Sequence, residues 1–308
     1  MRVLVFGGTG FLGSRIVPKL LERGHEVSVL TRRAEELYHL ESIGASGILG
    51  DLLEPEGLLH SLSPHDLVVS VAMPLEFGRM SRGKLAAIRD RTIKFVSTTL
   101  TVGQRLECPV IVTLGTSYRT GPGEVADETW PIERFGIAKV GEDAENLIKR
   151  AVEDGQPIIQ MIPGQIYGPG GQFLQMYRMM MSGRFGIFGK GENYIPRIHV
   201  EDCADAFVLA IEALPIGESF ILADDTPCTM REFTEFMAEC SNMPRPRAIP
   251  RFVARLVLGK TLLETMEMNC IVSNEKAKRM LGWDLKFPSY REGLVATIRE
   301  LEGRTLLL

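Results

Sequence analysis

Seven residues near the start of the chain, Gly7-Gly8-Thr9-Gly10-Phe11-Leu12-Gly13, have the types and spacing to hold a pyrophosphate. They contain G-x-G-x-x-G from Gly8 to Gly13 and G-x-x-G-x-x-G from Gly7 to Gly13. The chemistry needs glycine because the backbone must turn tightly and come close to the phosphates, where a Cβ would stand in the way. The helix that follows then offers free N–H groups and the positive end of its dipole. Such a motif is common by itself. Here it lies between the apolar run Val3 to Phe6 and a helical pattern continuing through Ile16 to Leu21, which is the context a dinucleotide fingerprint requires.

The second candidate feature is Thr31-Arg32-Arg33. Chains that take NAD usually carry an acid at the end of the second strand, bonded to the ribose 2′-hydroxyl. Two guanidinium groups there suit a 2′-phosphate, which they bind through charge-assisted, often bidentate hydrogen bonds. The plain alternative is a pair of solvated arginines opening a surface helix. The expected cofactor is therefore NADP(H), with Thr31, Arg32 and Arg33 at the phosphate and Asp51-Leu52 against the adenine.

The elements that must position these residues alternate. Apolar runs at Val3–Phe6, Val27–Leu30, Gly47–Gly50, Leu67–Val71, Val110–Leu114 and Ile158–Ile162 read as strands, with helical stretches between most of them. Strands that are apolar on both faces belong to a parallel sheet covered by helices on each side. The reading is an α/β fold, a Rossmann-type doubly wound sheet of six or seven strands. Residues 1–163 form the nucleotide-binding part, its last strand and some helices completed by later segments. Residues 164–308 mostly form a smaller C-terminal substrate lobe. Ile166-Tyr167-Gly168-Pro169-Gly170-Gly171 reads as a loop, and Phe220–Leu222 as a short strand. Met176, Met179, Met180 and Met181 read as gap fillers or as the wall of an adaptable pocket. Pro244, Pro246 and Pro250 punctuate a loop between helices.

Bulk properties exclude several classes of partner. A net charge of −4 leaves no basic surplus for nucleic-acid phosphates, so no nucleic-acid partner is expected. No apolar run is long enough to span a membrane. The five cysteines are scattered, with no C-x-x-C and no Cys/His cluster, which speaks against a metal and for reduced thiols in the cytoplasm.

The chain resembles the short-chain dehydrogenase/reductase superfamily, in its extended, epimerase/dehydratase-like branch. The resemblance is carried by Gly7 to Gly13, Asp51-Leu52, Pro163 to Gly170, Arg197-Ile198-His199-Val200-Glu201-Asp202, and Ser273 to Ala277 with Leu281-Gly282-Trp283. It implies a Ser or Thr, a Tyr and a Lys at the reaction centre, the last two spaced Y-x-x-x-K. It also implies that Pro163, Gln165 and Ile166 touch the nicotinamide end of the cofactor. The matching segment here is Phe135-Gly136-Ile137-Ala138-Lys139. Lys139 is kept, as ribose ligand and catalytic lysine, but the tyrosine has become Phe135. Thr116, with Ser117 next to it, matches the substrate-facing hydroxyl.

Loss of a general acid typically costs about 10² to 10⁴ in rate, so another proton source is needed for carbonyl reduction. Tyr118 is the first substitute, with Tyr167 and Tyr194 behind it. His199 reads as structural within the H-V-x-D element, and Asp202 as the start of a helix. Arg197 is placed to meet an anionic group. The expected function is an atypical NADP-dependent oxidoreductase acting on a small organic substrate. One alternative is a sugar-nucleotide epimerase or dehydratase with relocated acid and base. The other is a non-catalytic NADP(H)-binding regulatory protein. Helical stretches near 84–106 and 135–153 resemble those that pair subunits in this branch, which makes a homodimer the expected assembly.

Overall fold

The computed structural model describes residues 1–74 and 80–305. The first half of the chain runs β1 (Arg2–Phe6), α1 (Gly13–Glu22), β2 (Glu26–Thr31), α2 (Glu35–Ser42), β3 (Ser46–Leu49), α3 (Pro55–Ser61), β4 (Leu67–Ser70), α4 (Arg82–Leu106) and β5 (Val110–Thr113). A 3-10 helix (Gly136–Gly141), α5 (Glu142–Glu153), β6 (Ile158–Pro163), β7 (Gln165–Tyr167), α6 (Gly171–Met181) and β8 (Gly186–Phe188) follow. The remainder is β9 (Arg197–His199), α7 (Val200–Ala213), β10 (Ser219–Leu222), α8 (Met230–Cys240), β11 (Arg247–Ile249), α9 (Arg251–Leu258), α10 (Lys260–Met266), α11 (Glu275–Leu281) and α12 (Tyr290–Thr305).

Seven parallel strands form the main sheet in the order β3-β2-β1-β4-β5-β6-β10. The order reverses beside β1, between β1 and β4, and this is where a doubly wound sheet opens a crevice at its carboxyl edge. The strands carry apolar side chains on both faces because both are covered. One face packs Val3, Val5, Val27 and Val29 against Ile16, Val17 and Leu20 of α1 and against Phe207, Ala210 and Ile211 of α7. The other packs Leu4, Phe6, Val68 and Val110 against Val96 and Leu100 of α4 and Ile148 of α5. Two short parallel pairs, β7 with β9 and β8 with β11, stand outside the main sheet.

Several local readings change. Residues 135–153 are not one helix. Gly136 sits at φ 55°, in the left-handed region, and the chain makes a 3-10 turn before α5 begins. The Ile137 amide donates to Thr265 Oγ1 at 2.8 Å, so the turn is docked on α10. The proline-punctuated loop contains a strand, β11, because Pro246 and Pro250 flank three residues that pair with β8. Of the methionines in α6, Met180 is buried with Phe173 and Tyr177, whereas Met179 and Met181 face outward.

Motifs of the second half act as ties. Asp202 is fully buried and accepts from the backbone amides of Lys286 at 2.7 Å and Phe287 at 3.1 Å. Its carbonyl accepts from Trp283 Nε1 at 3.0 Å. Asn274 Nδ2 donates to Ala223 O and Asp225 Oδ1, both at 2.7 Å. The segment 273–287 is thereby fastened to α7 and to the end of β10.

Gly13 has the tightest surroundings of the nucleotide loop. A Cβ there would lie 2.1 Å from Gly7 O and 2.6 Å from Gly8 Cα, both backbone atoms with nowhere to go. Gly83, in the first turn of α4, faces open space. Gly13→Ala is expected to cost roughly 1–3 kcal/mol by overpacking. Gly83→Ala is expected to leave stability unchanged or raise it by about 0.5 kcal/mol, through lower chain entropy in the unfolded state. Equilibrium denaturation of the two variants beside the parent checks both signs.

Candidate active site

The nucleotide loop is shaped by three close approaches. Gly7 has φ 81°, and a Cβ would meet the backbone of Ala72 at 2.8 Å. Gly10 N donates to Gly7 O at 2.9 Å, closing the turn. Gly13 starts α1, whose first turn has no acidic side chain, so its positive end is left for an anion. The Phe11 ring packs where Cβ atoms at Gly168, Gly170 and Gly171 would lie, at 2.7 to 3.3 Å. The nucleotide loop and the loop after β7 are thus built around one ring. This cradle fits a dinucleotide pyrophosphate, which needs close backbone approach and no side chain in the way.

At the end of β2, Thr31 is buried and its Oγ1 accepts from Arg33 N at 3.2 Å. Arg33 pairs with Glu36. Arg32 is exposed and forms no ion pair among the described residues. Asp51 Oδ1 accepts from Leu53 N at 3.0 Å, and Leu52 is buried beneath it.

At the other end of the crevice, Thr116 is half-buried and its amide donates to Pro163 O at 3.1 Å. Ser117 is turned inward, its hydroxyl donating to Glu133 O at 3.0 Å. Phe135 is buried and Lys139 is exposed. Both line a cavity of about 590 Å³, together with Arg119, Glu133 and Asn269. The Arg119 guanidinium lies over the Phe135 ring, 4.7 Å from its centroid, while its Nε pairs with Glu133 at 3.1 Å. Sequence reasoning missed Arg119, since nothing in a linear pattern marks a cation above a ring sixteen residues away. It also missed the buried pair of Arg134 with Glu145, at 2.8 Å, behind the cavity.

The substitute tyrosines separate clearly. Tyr118 does not stand open in the crevice. Its ring is buried with Ala126, Ile162, Ile221 and Cys270, and burial, helped by nearby Glu128, pushes the phenol well above its ordinary pKa. Tyr167 is excluded from the crevice by packing. Its ring meets His199 and Phe233 edge-on, and its hydroxyl lies against Gly293 of α12 without a hydrogen-bond partner among the described residues. Tyr194 is half-buried, its amide donating to Asn269 Oδ1 at 3.0 Å.

His199 holds structure. Its Nδ1 accepts from Glu201 N at 3.2 Å and caps α7, so the proton sits on Nε2, 3.2 Å from Thr297 Oγ1. Burial, with Lys286 and Arg15 nearby, lowers its pKa to about 3. It stays neutral near pH 7 and does not titrate there.

Under Gln165 lies a buried group of polar residues. Arg197 is enclosed, with NH1 2.6 Å from Gln165 Oε1 and its guanidinium 3.6 Å from the Phe233 centroid. Asp224 is buried, and its Oδ2 has no hydrogen-bond partner among the described residues. Burial raises its pKa to about 8; Arg197 opposes the shift, and Asp225 and Asp202 add to it.

With this geometry in place, comparison with known proteins gives the class. A family model described as the NAD dependent epimerase/dehydratase family matches residues 3–223, and the chain belongs to that family. It is 25% identical to a 3-diazoavenalumate denitrifying reductase from a Streptomyces species, over 96% of this chain and 99% of the relative. It is 26% identical to a 2-alkyl-3-oxoalkanoate reductase of Stenotrophomonas maltophilia, over 80% of this chain and 77% of the relative. Human epimerase family protein SDR39U1, solved with NADPH, superposes with a TM-score of 0.79 at 22% identity, covering 98% of this chain and 100% of the other. A UDP-glucose 4-epimerase of Thermotoga maritima, solved with UDP-glucose, gives 0.80 at 22% identity, covering 99% and 100%. These two likenesses concern the fold. Several relatives are named reductases, and the description of the family itself names a nicotinamide dinucleotide, which supports an enzyme of the oxidoreductase and epimerase kind.

Asp224 yields a signed expectation. Unfolded, it loses its proton near 3.8; folded, it holds it to about 8. Across that interval the unfolded state binds fewer protons, so stability falls as pH rises. Asp224→Asn is expected to flatten this decline, gaining on the parent at pH 8 relative to pH 5. Denaturation midpoints across that range decide it, and parallel curves for the two proteins would count against a proton-bearing Asp224.

Proposed function

We propose that this protein is an NADP-dependent reductase of small organic substrates, working without the tyrosine common to its superfamily. The observation that carries the reading is that Phe135 and Lys139 line one substrate-sized cavity, in a chain whose Gly7–Gly13 loop leaves no room for side chains. Gly7, Thr9, Gly10, Phe11, Leu12 and Gly13 would hold the pyrophosphate. Thr31, Arg32 and Arg33 would take the 2′-phosphate, and Asp51 and Leu52 the adenine side. Lys139, Pro163 and Ile166 would hold the nicotinamide end, with Gln165 beside them and its side chain left for the substrate. Bound there, the cofactor supplies a hydride.

The cofactor reading rests on the end of β2. An acid there would repel a 2′-phosphate, and this chain carries Arg32, exposed and without an ion pair among the described residues. The solved human relative with NADPH supports the same choice. Arg33, already paired with Glu36, contributes less.

The chemistry rests on what Phe135 lacks. With no phenol, simple carbonyl reduction needs a proton from elsewhere, and Thr116 is the hydroxyl left at the edge of the crevice. A conjugate reduction avoids the difficulty, because the proton goes to carbon and water serves as its source. The relatives' names point to carboxylic acids, an avenalumate and an oxoalkanoate, and a small organic acid is the substrate class proposed here.

Calorimetric titration with NADPH and NADH tests the reading. A lost charge-assisted hydrogen bond is worth about 1.5–3 kcal/mol, so Arg32→Ala is expected to weaken NADPH binding roughly ten- to a hundredfold. NADH binding should hardly change, and Arg33→Ala should do less. Equal affinity of the parent for both nucleotides would overturn the NADP assignment.

A further inference from the structure

Arg197 is a fully buried cation, and its surroundings are unusual. Its strand, β9, pairs with β7 in a register that sets Arg197 opposite Gln165. The guanidinium rests on the Phe233 ring at 3.6 Å, and NH2 is 3.6 Å from Met230 Sδ. The Cys228 thiol also lies against it. Nε has no hydrogen-bond partner, and no carboxylate forms an ion pair with Arg197 among the described residues. A cation buried among a ring and two sulfurs is poorly compensated, and burying an uncompensated charge is costly. The nearest acid in the nest, Asp224, keeps its proton near neutrality and does not cancel the charge.

Only one member of this nest is exposed, and that is Gln165. A guanidinium has donors alone, so the Gln165 atom 2.6 Å from NH1 has to be the amide oxygen. Pinning Oε1 by a short charge-assisted bond leaves Nε2, with its two hydrogens, turned away from Arg197. Nε2 meets no acceptor among the described residues. Gln165 stands two residues beyond the end of β6, next to the Pro163 carbonyl that receives the Thr116 amide. The donor pair is therefore at the carboxyl edge of the sheet, with an uncancelled positive charge directly behind it.

We propose that Arg197 is a positioning residue that makes Gln165 a fixed double donor, and that together they select a substrate carrying a carboxylate at this edge. The proposal rests on the reductase reading for its location. It adds the receptor for the acid group and a reason for a buried arginine with no partner acid. Gln165 touches the substrate; Arg197 acts through it.

The test is a calorimetric titration with trans-2-octenoate and with trans-2-octenamide, its uncharged counterpart, with and without saturating NADP⁺. A single charge-assisted contact predicts about a tenfold preference of the parent for the acid. Gln165→Glu puts a carboxylate beside Arg197. It should fold, unfold at the same or a higher temperature, and lose or invert the preference, because donors become acceptors. Arg197→Met should reduce the preference by freeing the amide, and the Glu variant carries the test if that protein fails to fold. Equal binding of acid and amide by the parent, binding of neither, or a Glu variant that keeps the preference would each overturn the proposal. A protein that prefers the acid but ignores NADP⁺ would instead overturn the cofactor reading and leave the carboxylate receptor standing.

Discussion

The close approach of the loop Gly7–Gly13 to its own backbone and to β4 sets the rest of the crevice. Gly7 leaves no room for a side chain beside Ala72, and Gly13 leaves none beside Gly7 and Gly8. That contact fixes where α1 begins relative to the carboxyl edge of β1, and with it where an anion meets the helix dipole. The Phe11 ring then carries the constraint across to Gly168, Gly170 and Gly171. Glycine is required at those positions because a ring already fills the space. One loop thus sets the distance between the nucleotide cradle and the segment that starts with Gln165.

The parts legible in the sequence are those where one residue type has one physical use. Continuous apolar runs gave a parallel sheet, because only a doubly covered strand can afford them, and seven such strands are present. Glycines at fixed spacing marked a turn whose backbone leaves no room for side chains. His199 read as structural and is, its ring capping α7 and meeting Thr297. What the sequence could not show is direction. Tyr118, Tyr167 and Tyr194 are equivalent as letters, yet one is packed under Ile162 and Ile221, one is pressed against α12, and one is half-buried. The helix expected over 135–153 broke for a tertiary reason: Gly136 takes a positive φ and the next amide, of Ile137, is docked on Thr265, 128 residues further along the chain.

Phe135 brings packing to its cavity and no titratable group. The ring is buried and carries no titratable oxygen. The ring face is not left bare, since Arg119 covers it, and Lys139 lines the same cavity. A phenol supplies a proton, whereas guanidinium and ammonium groups supply charge. A wall built this way favours reactions in which negative charge accumulates on substrate oxygen and the proton arrives at another atom.

The same logic extends below Gln165. Water would solvate an exposed arginine, and a carboxylate would neutralise a buried one; Arg197 is buried and pairs with no carboxylate among the described residues. Its contacts are a ring face, sulfur atoms and a single amide oxygen, all weaker partners for a cation than a carboxylate. Part of the electrostatic cost of enclosing it is left to whatever binds at Gln165. A neutral ligand returns little of that cost and an anion returns more, so the arrangement discriminates by charge without exposing the charge to solvent. Asp224 would abolish this discrimination if it ionised, and its burial is what prevents that near neutral pH. The unpaired arginine and the protonated acid are two halves of one device, each requiring the desolvation that the packing of Tyr167, Phe233 and Met230 provides.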